Sequence, residues 1–92
     1  HDLTPPEDRR HTRVTPARPT ATLAFPDGRI YESRIIDLSL SGAALALDAR
    51  PPIGSPVMVG NLRATVVRLF EEGIAVEFAV MQTVESLEQG LA

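Results

Sequence analysis

From residue 20 onward, the chain is a series of short runs in which apolar and polar residues alternate, separated by turn residues. Alternation with a period of two is typical of β-strands. Six short strands at this spacing favour a small closed barrel or a sandwich. The pattern therefore predicts an all-β fold with strands at 21–25, 29–39, 43–47, 57–59, 62–70 and 74–78.

Alternation along the second predicted strand, residues 29–39, assigns its side chains to two faces. Strict alternation places Ile30, Glu32, Arg34 and Ile36 on one face, and Tyr31, Ser33, Ile35 and Asp37 on the other. A Pro-Asp-Gly turn at 26–28 joins this strand to the first one, and its glycine can take a positive φ. The two strands are therefore expected to form a hairpin.

Both ends of the chain depart from the strand pattern. Residues 1–19 contain four prolines and no apolar periodicity, which predicts a flexible, extended N-terminal arm. At the other end, Val80, Val84, Leu87 and Leu91 recur at helical spacing. This spacing predicts a short amphipathic helix from about residue 80 whose apolar stripe covers the core. The expected organisation is an arm over 1–19 and a barrel with its helix over 20–92.

Composition excludes several classes of function. The 92 residues suffice for one domain, and the absence of cysteine removes disulfides, thiol nucleophiles and cysteine metal sites. No apolar run is long enough to span a membrane, and no secretory signal is visible, so a cytoplasmic protein is expected. Both histidines, His1 and His11, lie in the predicted arm, and no nucleophile or paired carboxylate has a catalytic context. We expect no enzyme, no catalytic or metal-binding residue and no cofactor.

Positive charge is concentrated in the segment DRRHTR, residues 8–13, although the net charge of the chain is −3. All nine basic residues are arginine and none is lysine, and a codon bias toward arginine would also explain the absence of lysine. The planar guanidinium group donates in pairs to carboxylates, phosphates and base edges. The cluster therefore predicts a local site for an anion.

A second polar stretch, DLSLSGAA, spans residues 37–44. The Asp37 carboxylate could accept two hydrogen bonds from the N1–H and N2–H₂ edge of guanine, and the Ser39 hydroxyl could bind a phosphate or a base. Gly42 could let a ligand approach the backbone closely. Taken alone, the stretch fits an ordinary β-turn, in which Asp and Ser bond nearby amides and Gly42 has an unusual φ.

Together the two stretches resemble the paired signature of PilZ domains, bacterial receptors for the second messenger cyclic di-GMP. The family pattern is R-x-x-x-R followed by [D/N]-x-S-x-x-G, and the matching residues are RRHTR at 9–13 and DLSLSG at 37–42. The run GIAVEF at 73–78 is similar to the closing strand of that family. The resemblance covers nearly the whole chain and implies a six-stranded antiparallel, Greek-key-like barrel whose N-terminal arm folds over the ligand.

The resemblance also implies a role for each signature residue. Arg9 and Arg13 would pair with a phosphate or with guanine O6 and N7, and Asp37 would take the opposite edge of a guanine. Ser39 would bind phosphate or base, and Gly42 would line the turn. Arg10 is outside the signature positions but could stack on a purine. One ligand molecule or a stacked pair are both compatible with the sequence.

Two other functions remain open at this point. The first is a degenerate PilZ-like module that binds protein instead of nucleotide. The second, disfavoured by an acidic barrel with few aromatic residues, is a barrel for single-stranded nucleic acid. The partner implied by the resemblance is an unidentified effector protein or fused domain, such as cellulose synthase or a motility component. Nucleic acid binding and membrane insertion are not expected, and a stand-alone protein and a fragment are equally compatible with the sequence.

Overall fold

Strands dominate the computed structural model, which describes residues 18–91 of the chain. Within this range six antiparallel strands close into a barrel in the order β1-β2-β3-β6-β5-β4. The predicted six-stranded barrel with a C-terminal helix is confirmed, whereas the predicted arm lies, up to residue 17, outside the described residues. The elements are β1 (Thr20–Ala24), β2 (Ile30–Leu38), β3 (Gly42–Ala46), β4 (Pro56–Val59), β5 (Leu62–Phe70), β6 (Gly73–Phe78) and α1 (Val84–Gly90).

The barrel consists of two three-stranded meanders, β1-β2-β3 and β4-β5-β6, which meet along two seams. The long seam joins β3 to β6 through five residue pairs, from Gly42 opposite Glu77 to Ala46 opposite Gly73. The short seam joins β1 to β4 through two pairs only. Closure of the barrel therefore depends mainly on the β3–β6 pairing.

A glycine lies at each end of the long seam, and both are buried. A Cβ atom at Gly42 would overlap the carbonyl oxygen of Val76, and one at Gly73 would overlap the carbonyl oxygen of Leu45. Both obstacles are backbone atoms, which cannot rotate away as a side chain can. The close approach of β3 and β6 therefore requires a residue without a side chain at both positions.

The barrel interior is filled by alternate residues of all six strands and by one helix residue, Leu87, which is 1% exposed. The other completely buried side chains include Leu23, Leu45, Val59, Val66 and Ile74. This arrangement makes the helix a cover for one end of the core, as the sequence predicted for Leu87. No helix within residues 18–91 is long and apolar enough to cross a membrane.

The helix begins later than its apolar periodicity predicted. The Thr83 Oγ1 atom accepts a hydrogen bond from Ser86 N (3.1 Å), and Ser86 Oγ accepts one from Thr83 N (2.8 Å). This reciprocal capping box fixes the helix start at Val84. Val80 therefore precedes the helix and is 70% exposed, and Val84 is also exposed, so the predicted four-residue stripe is wrong at these two positions.

Two β-bulges interrupt the strand alternation. In β2 the register shifts between Ile35 and Asp37, so that Ile36 is the extra residue. In β5 it shifts between Val66 and Arg68, so that Val67 is the extra residue. A bulge changes the face on which the following side chains lie. Asp37 is therefore exposed on the outer face, and the prediction that it shares a face with Ser33 is wrong.

The turn between β5 and β6 is held by a single side chain from the loop between β3 and β4. The Arg50 guanidinium donates to the carbonyl oxygens of Phe70 (2.6 Å), Glu71 (2.6 Å) and Gly73 (2.9 Å). Arginine suits this position because its donors project in several directions from one rigid plane. The end of β5 is thereby fixed relative to the start of β6.

One buried polar group, the Ser33 hydroxyl, has no hydrogen-bond partner within the described part of the chain. The residue is 3% exposed and lies on the inner face of β2. An unsatisfied buried hydroxyl destabilises the folded state because it loses its hydrogen bonds to water. We expect Ser33→Ala to raise the free energy of unfolding by about 1 kcal/mol in urea titrations.

The control for this substitution is Ser55→Ala, which removes a hydroxyl that donates to Pro52 O at 2.6 Å. It should lower the free energy of unfolding by about 0.5–1.5 kcal/mol. Equal losses for both variants would contradict the assignment of Ser33 as unsatisfied.

The long seam makes a second prediction, for Gly73→Ala. The added methyl group would force β3 and β6 apart, so we expect the free energy of unfolding to fall by at least about 2 kcal/mol. Gly54→Ala is the matched control because it adds the same methyl group in open space, at a φ of +95°. Its cost is backbone strain alone, about 1 kcal/mol. A Gly73→Ala variant as stable as Gly54→Ala would show that the seam has room for a side chain.

Candidate ligand-binding site

The predicted site residues divide into two groups. Asp37 lies near the end of β2, Ser39 in the turn that follows, and Gly42 at the start of β3. The structure therefore brings this half of the predicted site together in one turn. The arginines predicted for the other half, Arg9, Arg10 and Arg13, lie outside the described residues.

The Ser39 hydroxyl determines the shape of the β2–β3 turn. Its Oγ accepts hydrogen bonds from Gly42 N (3.2 Å) and Ser41 N (3.3 Å), and it lies 3.2 Å from Gly42 O, to which it can donate. Ser39 N donates to the same Gly42 carbonyl at 2.9 Å. Side-chain bonds of this kind are the usual reason for a serine in a tight turn. Ser39 therefore has a structural role whether or not it touches a ligand.

Backbone bonds hold the turn against the far end of the other meander. Phe78 N, at the end of β6, donates to Ser41 O at 2.8 Å, and Gln82 N donates to Leu40 O at 2.8 Å. These two bonds hold the backbone of the turn at Leu40 and at Ser41. The turn is therefore already fixed before a ligand binds.

The Asp37 carboxylate is on the outer face of the barrel because of the Ile36 bulge. Its Oδ1 accepts a hydrogen bond from Leu38 N at 3.1 Å. A carboxylate offers about four lone-pair positions, so it can accept several hydrogen bonds at once. The side chain is exposed and can present an anionic acceptor to a molecule lying on the barrel surface.

Gly42 is required by the close packing of β3 and β6 and does not have an unusual φ. The described glycines with positive φ are Gly28, Gly54 and Gly60, so the expectation of an unusual φ at Gly42 is wrong. The space that its Cβ would occupy is filled by the Val76 carbonyl of β6. The requirement for glycine in this turn therefore comes from closure of the long seam.

A shallow groove of about 330 Å³ extends from this turn across the outside of the long seam. Asp37 and Ser39 line one side, Ala44 of β3 and Ala75 of β6 lie between, and Arg68 of β5 lines the other side. Arg68 was not among the residues predicted from the sequence. A break of alternation in the run VVRLF is the signal that could have indicated a special position there.

The N-terminal segment joins the barrel at the same end as this turn. Ile35 N donates to Pro19 O at 2.7 Å, and Thr20 pairs with Arg34. Arg34 precedes Asp37 by three residues, about 10 Å along a strand. Pro19 therefore lies near the Asp37 side of the groove.

A second polar group lies at the opposite end of the barrel. The Arg29 guanidinium is 3.3 Å from Asp27, and Phe25 packs edge-to-face on Tyr31 with ring centroids 5.7 Å apart. A hydrogen bond with the Tyr31 side chain, followed in importance by the charges of Tyr31 and Asp27, raises the pKa of Arg29. Arginine is already charged at neutral pH, so this shift does not change the charge of Arg29 near pH 7.

Within residues 18–91, no three His, Cys, Asp or Glu side chains form a group that could hold a metal ion.

Comparison with known proteins identifies the family. No curated protein has a significant sequence match to the chain. The family model described as "PilZ domain" matches residues 7–92, which include both the arginine cluster and the β2–β3 turn. PilZ domains are generally binding modules for cyclic di-GMP and are not a known enzyme family. Because the match covers nearly the whole chain and the barrel agrees with it, the chain belongs to the PilZ domain family.

Proposed function

We propose that this protein binds cyclic di-GMP on the outer face of its barrel and that Asp37 selects guanine there. The observation that carries the proposal is the bulge at Ile36, which turns the Asp37 carboxylate outward beside a fixed turn. Family membership supplies the ligand class, and the local geometry supplies an accepting group of the right kind.

The chemistry of Asp37 favours guanine over adenine. Guanine presents two donors, N1–H and N2–H₂, to a carboxylate, whereas adenine presents a bare N1 acceptor beside its amine. A carboxylate that loses water without gaining hydrogen bonds costs about 1–3 kcal/mol or more. Asp37 would therefore discriminate against an adenine analogue chiefly through the penalty of an unpaired charge.

The arginine cluster would supply the groups that bind phosphate. Arg13 precedes Arg18 by five residues, which can span up to about 18 Å, and Arg9 by nine, which can span about 30 Å. Both lengths suffice to bring a guanidinium over the groove, because β1 begins at Thr20, opposite Arg34 of β2. Arg9 and Arg13 would then pair with phosphates or with guanine O6 and N7, and Arg10 could stack on a base.

Ser39 and Gly42 would contribute mainly through the turn. A ligand contact from the Ser39 hydroxyl would compete with its bond to Gly42 O, whereas its backbone already fixes the turn. Substitution of either residue is expected to change folding and binding together. Asp37 is therefore the better position for testing binding alone.

Ligand binding would produce a signal by holding the N-terminal segment against the barrel. Fixing each residue of a segment costs about 1–2 kcal/mol in backbone entropy, so several charge-assisted contacts are needed to offset it. The fixed segment would present a new surface to an effector protein or a fused domain. That effector is proposed only as a class.

The proposal predicts a specific effect of Asp37→Asn. Titration calorimetry of the full chain should show binding of cyclic di-GMP in preference to GTP and cyclic di-AMP. Asp37→Asn should weaken cyclic di-GMP binding by about 10- to 100-fold, because it replaces one acceptor oxygen with a donor and removes the charge.

Asp27→Asn is the matched control, since Asp27 is an exposed turn aspartate at the opposite end of the barrel. It should bind as tightly as the unsubstituted protein. Absence of any heat with cyclic di-GMP, from protein whose thermal unfolding is cooperative, would refute the proposed function.

A further prediction concerns the arginine cluster. Arg13→Gln should weaken binding of cyclic di-GMP by at least about tenfold, because it removes a charge-assisted, paired contact. Arg18→Gln makes the same change of charge five residues later and should have less than a twofold effect. Calorimetry at two salt concentrations would measure both. Equal effects of the two substitutions would indicate nonspecific attraction by net charge.

A further inference from the structure

We propose that Arg68 is a ligand-binding residue of this site, and that it donates to the O6 and N7 acceptors of the guanine whose N1 and N2 edge faces Asp37. The inference rests on the proposed binding of cyclic di-GMP and deepens it by assigning the far side of the groove. Arg68 lies outside both signature motifs. The pairing of the barrel strands places it beside the site.

Strand pairing puts Asp37 and Arg68 at opposite ends of one row across four strands. Asp37 pairs with Ala44, Ala44 with Ala75, and Ala75 with Arg68. Three strand spacings separate the two charged residues, about 14 Å between backbones. The small side chains of the two alanines leave the space between the charged residues shallow and open.

Both charged residues reach the outer face through a bulge. Val66 is completely buried, so strict alternation would turn Val67 outward and Arg68 toward the core. The extra residue at Val67 instead brings Arg68 opposite Ala75 on the outside. The Ile36 bulge does the same for Asp37. Bulges are frequent beside binding sites because they redirect single side chains, and here two of them redirect opposite charges into one groove.

The neighbourhood of Arg68 leaves its donors available. The guanidinium carbon lies 5.7 Å from the centroid of the Phe70 ring, within the range of a cation–π contact. Within residues 18–91 its side chain makes no hydrogen bond or ion pair. A contact through the flat face leaves the in-plane N–H groups free to donate. Because Arg50 holds the Phe70 carbonyl, the ring is at a fixed end of β5.

The acceptor pattern of guanine matches this arrangement. O6 and N7 form a pair of acceptors that arginine contacts with two parallel hydrogen bonds, and adenine replaces O6 with a donor amine. A guanine lying over Ala44 and Ala75 would meet Asp37 with its donor edge and Arg68 with its acceptor edge.

The test uses calorimetry on the full chain with three ligands: cyclic di-GMP, its analogue with 7-deazaguanine, and its analogue with hypoxanthine. Arg68→Gln should weaken cyclic di-GMP binding by about tenfold. With the 7-deaza analogue, which keeps O6 but lacks the N7 acceptor, the unsubstituted protein should already bind more weakly, and Arg68→Gln should add a loss of only about threefold because one of the two hydrogen bonds is already gone. With hypoxanthine, which lacks only the N2 amine facing Asp37, Arg68→Gln should keep its full tenfold effect.

Two variants control for charge and for folding. Arg63→Gln removes the same charge from an exposed residue of the same strand, β5, that lies outside the groove. This variant should bind cyclic di-GMP normally. Arg68→Lys keeps the charge without the paired donors and should lose affinity nearly as much as Arg68→Gln. Both arginine side chains are exposed, and the thermal unfolding midpoints of the three variants should agree with that of the unsubstituted protein.

The outcomes separate this inference from the proposed function. If the unsubstituted protein binds cyclic di-GMP and Arg68→Gln behaves like Arg63→Gln, Arg68 is not part of the site and the proposed function stands. An equal loss with all three ligands would show general attraction and overturn the assignment to O6 and N7. If the unsubstituted protein does not bind cyclic di-GMP, both proposals fail.

Discussion

The backbones of β3 and β6 approach so closely that neither end of their pairing has room for a side chain. Gly42 and Gly73 meet this requirement, and the carbonyls of Val76 and Leu45 fill the space that a Cβ would take. This pairing joins the two meanders, and the groove lies on its outer surface. The constraint that closes the barrel therefore also brings together the two strands that lie beneath the groove.

The proposed site combines a fixed half with a half supplied by the N-terminal segment. In the fixed half, Ser39 bonds across its own turn, and Phe78 and Gln82 bond to the turn from outside. A ligand meeting these groups does not have to order them, so its binding energy can be used to hold the N-terminal segment. The division suits a receptor, since the conformational cost is concentrated in the part that would carry the signal.

Local sequence patterns were sufficient for much of this fold. Alternation and turn residues predicted all six strands because both act over a few neighbouring residues, and Gly28 takes the positive φ expected of its turn. The capping box that delays the helix to Val84 is also local, and it prevails over the apolar spacing that begins at Val80.

The outward position of Asp37 and the place of Arg68 could not be predicted in the same way. Each depends on a bulge, and a bulge is a property of two paired strands. The relation between Asp37 and Arg68 passes through Ala44 and Ala75, so it exists only once four strands are in register. The requirement for glycine at position 42 is also a long-range effect, because the Val76 carbonyl that fills the space of its Cβ is remote in sequence. The sequence of the turn alone predicted an unusual φ instead.

The two seams differ in a way that bears on how the barrel responds to force. β1 continues directly from the N-terminal segment, and it is paired to β2 by five residues but to β4 by two, with one added bond from Gly60 N to Thr22 O. Fewer pairs make local opening less costly. The short seam is therefore the weakest closure of the barrel. Tension applied to the N-terminal segment would separate β1 from β4 first and leave the groove over β3 and β6 intact.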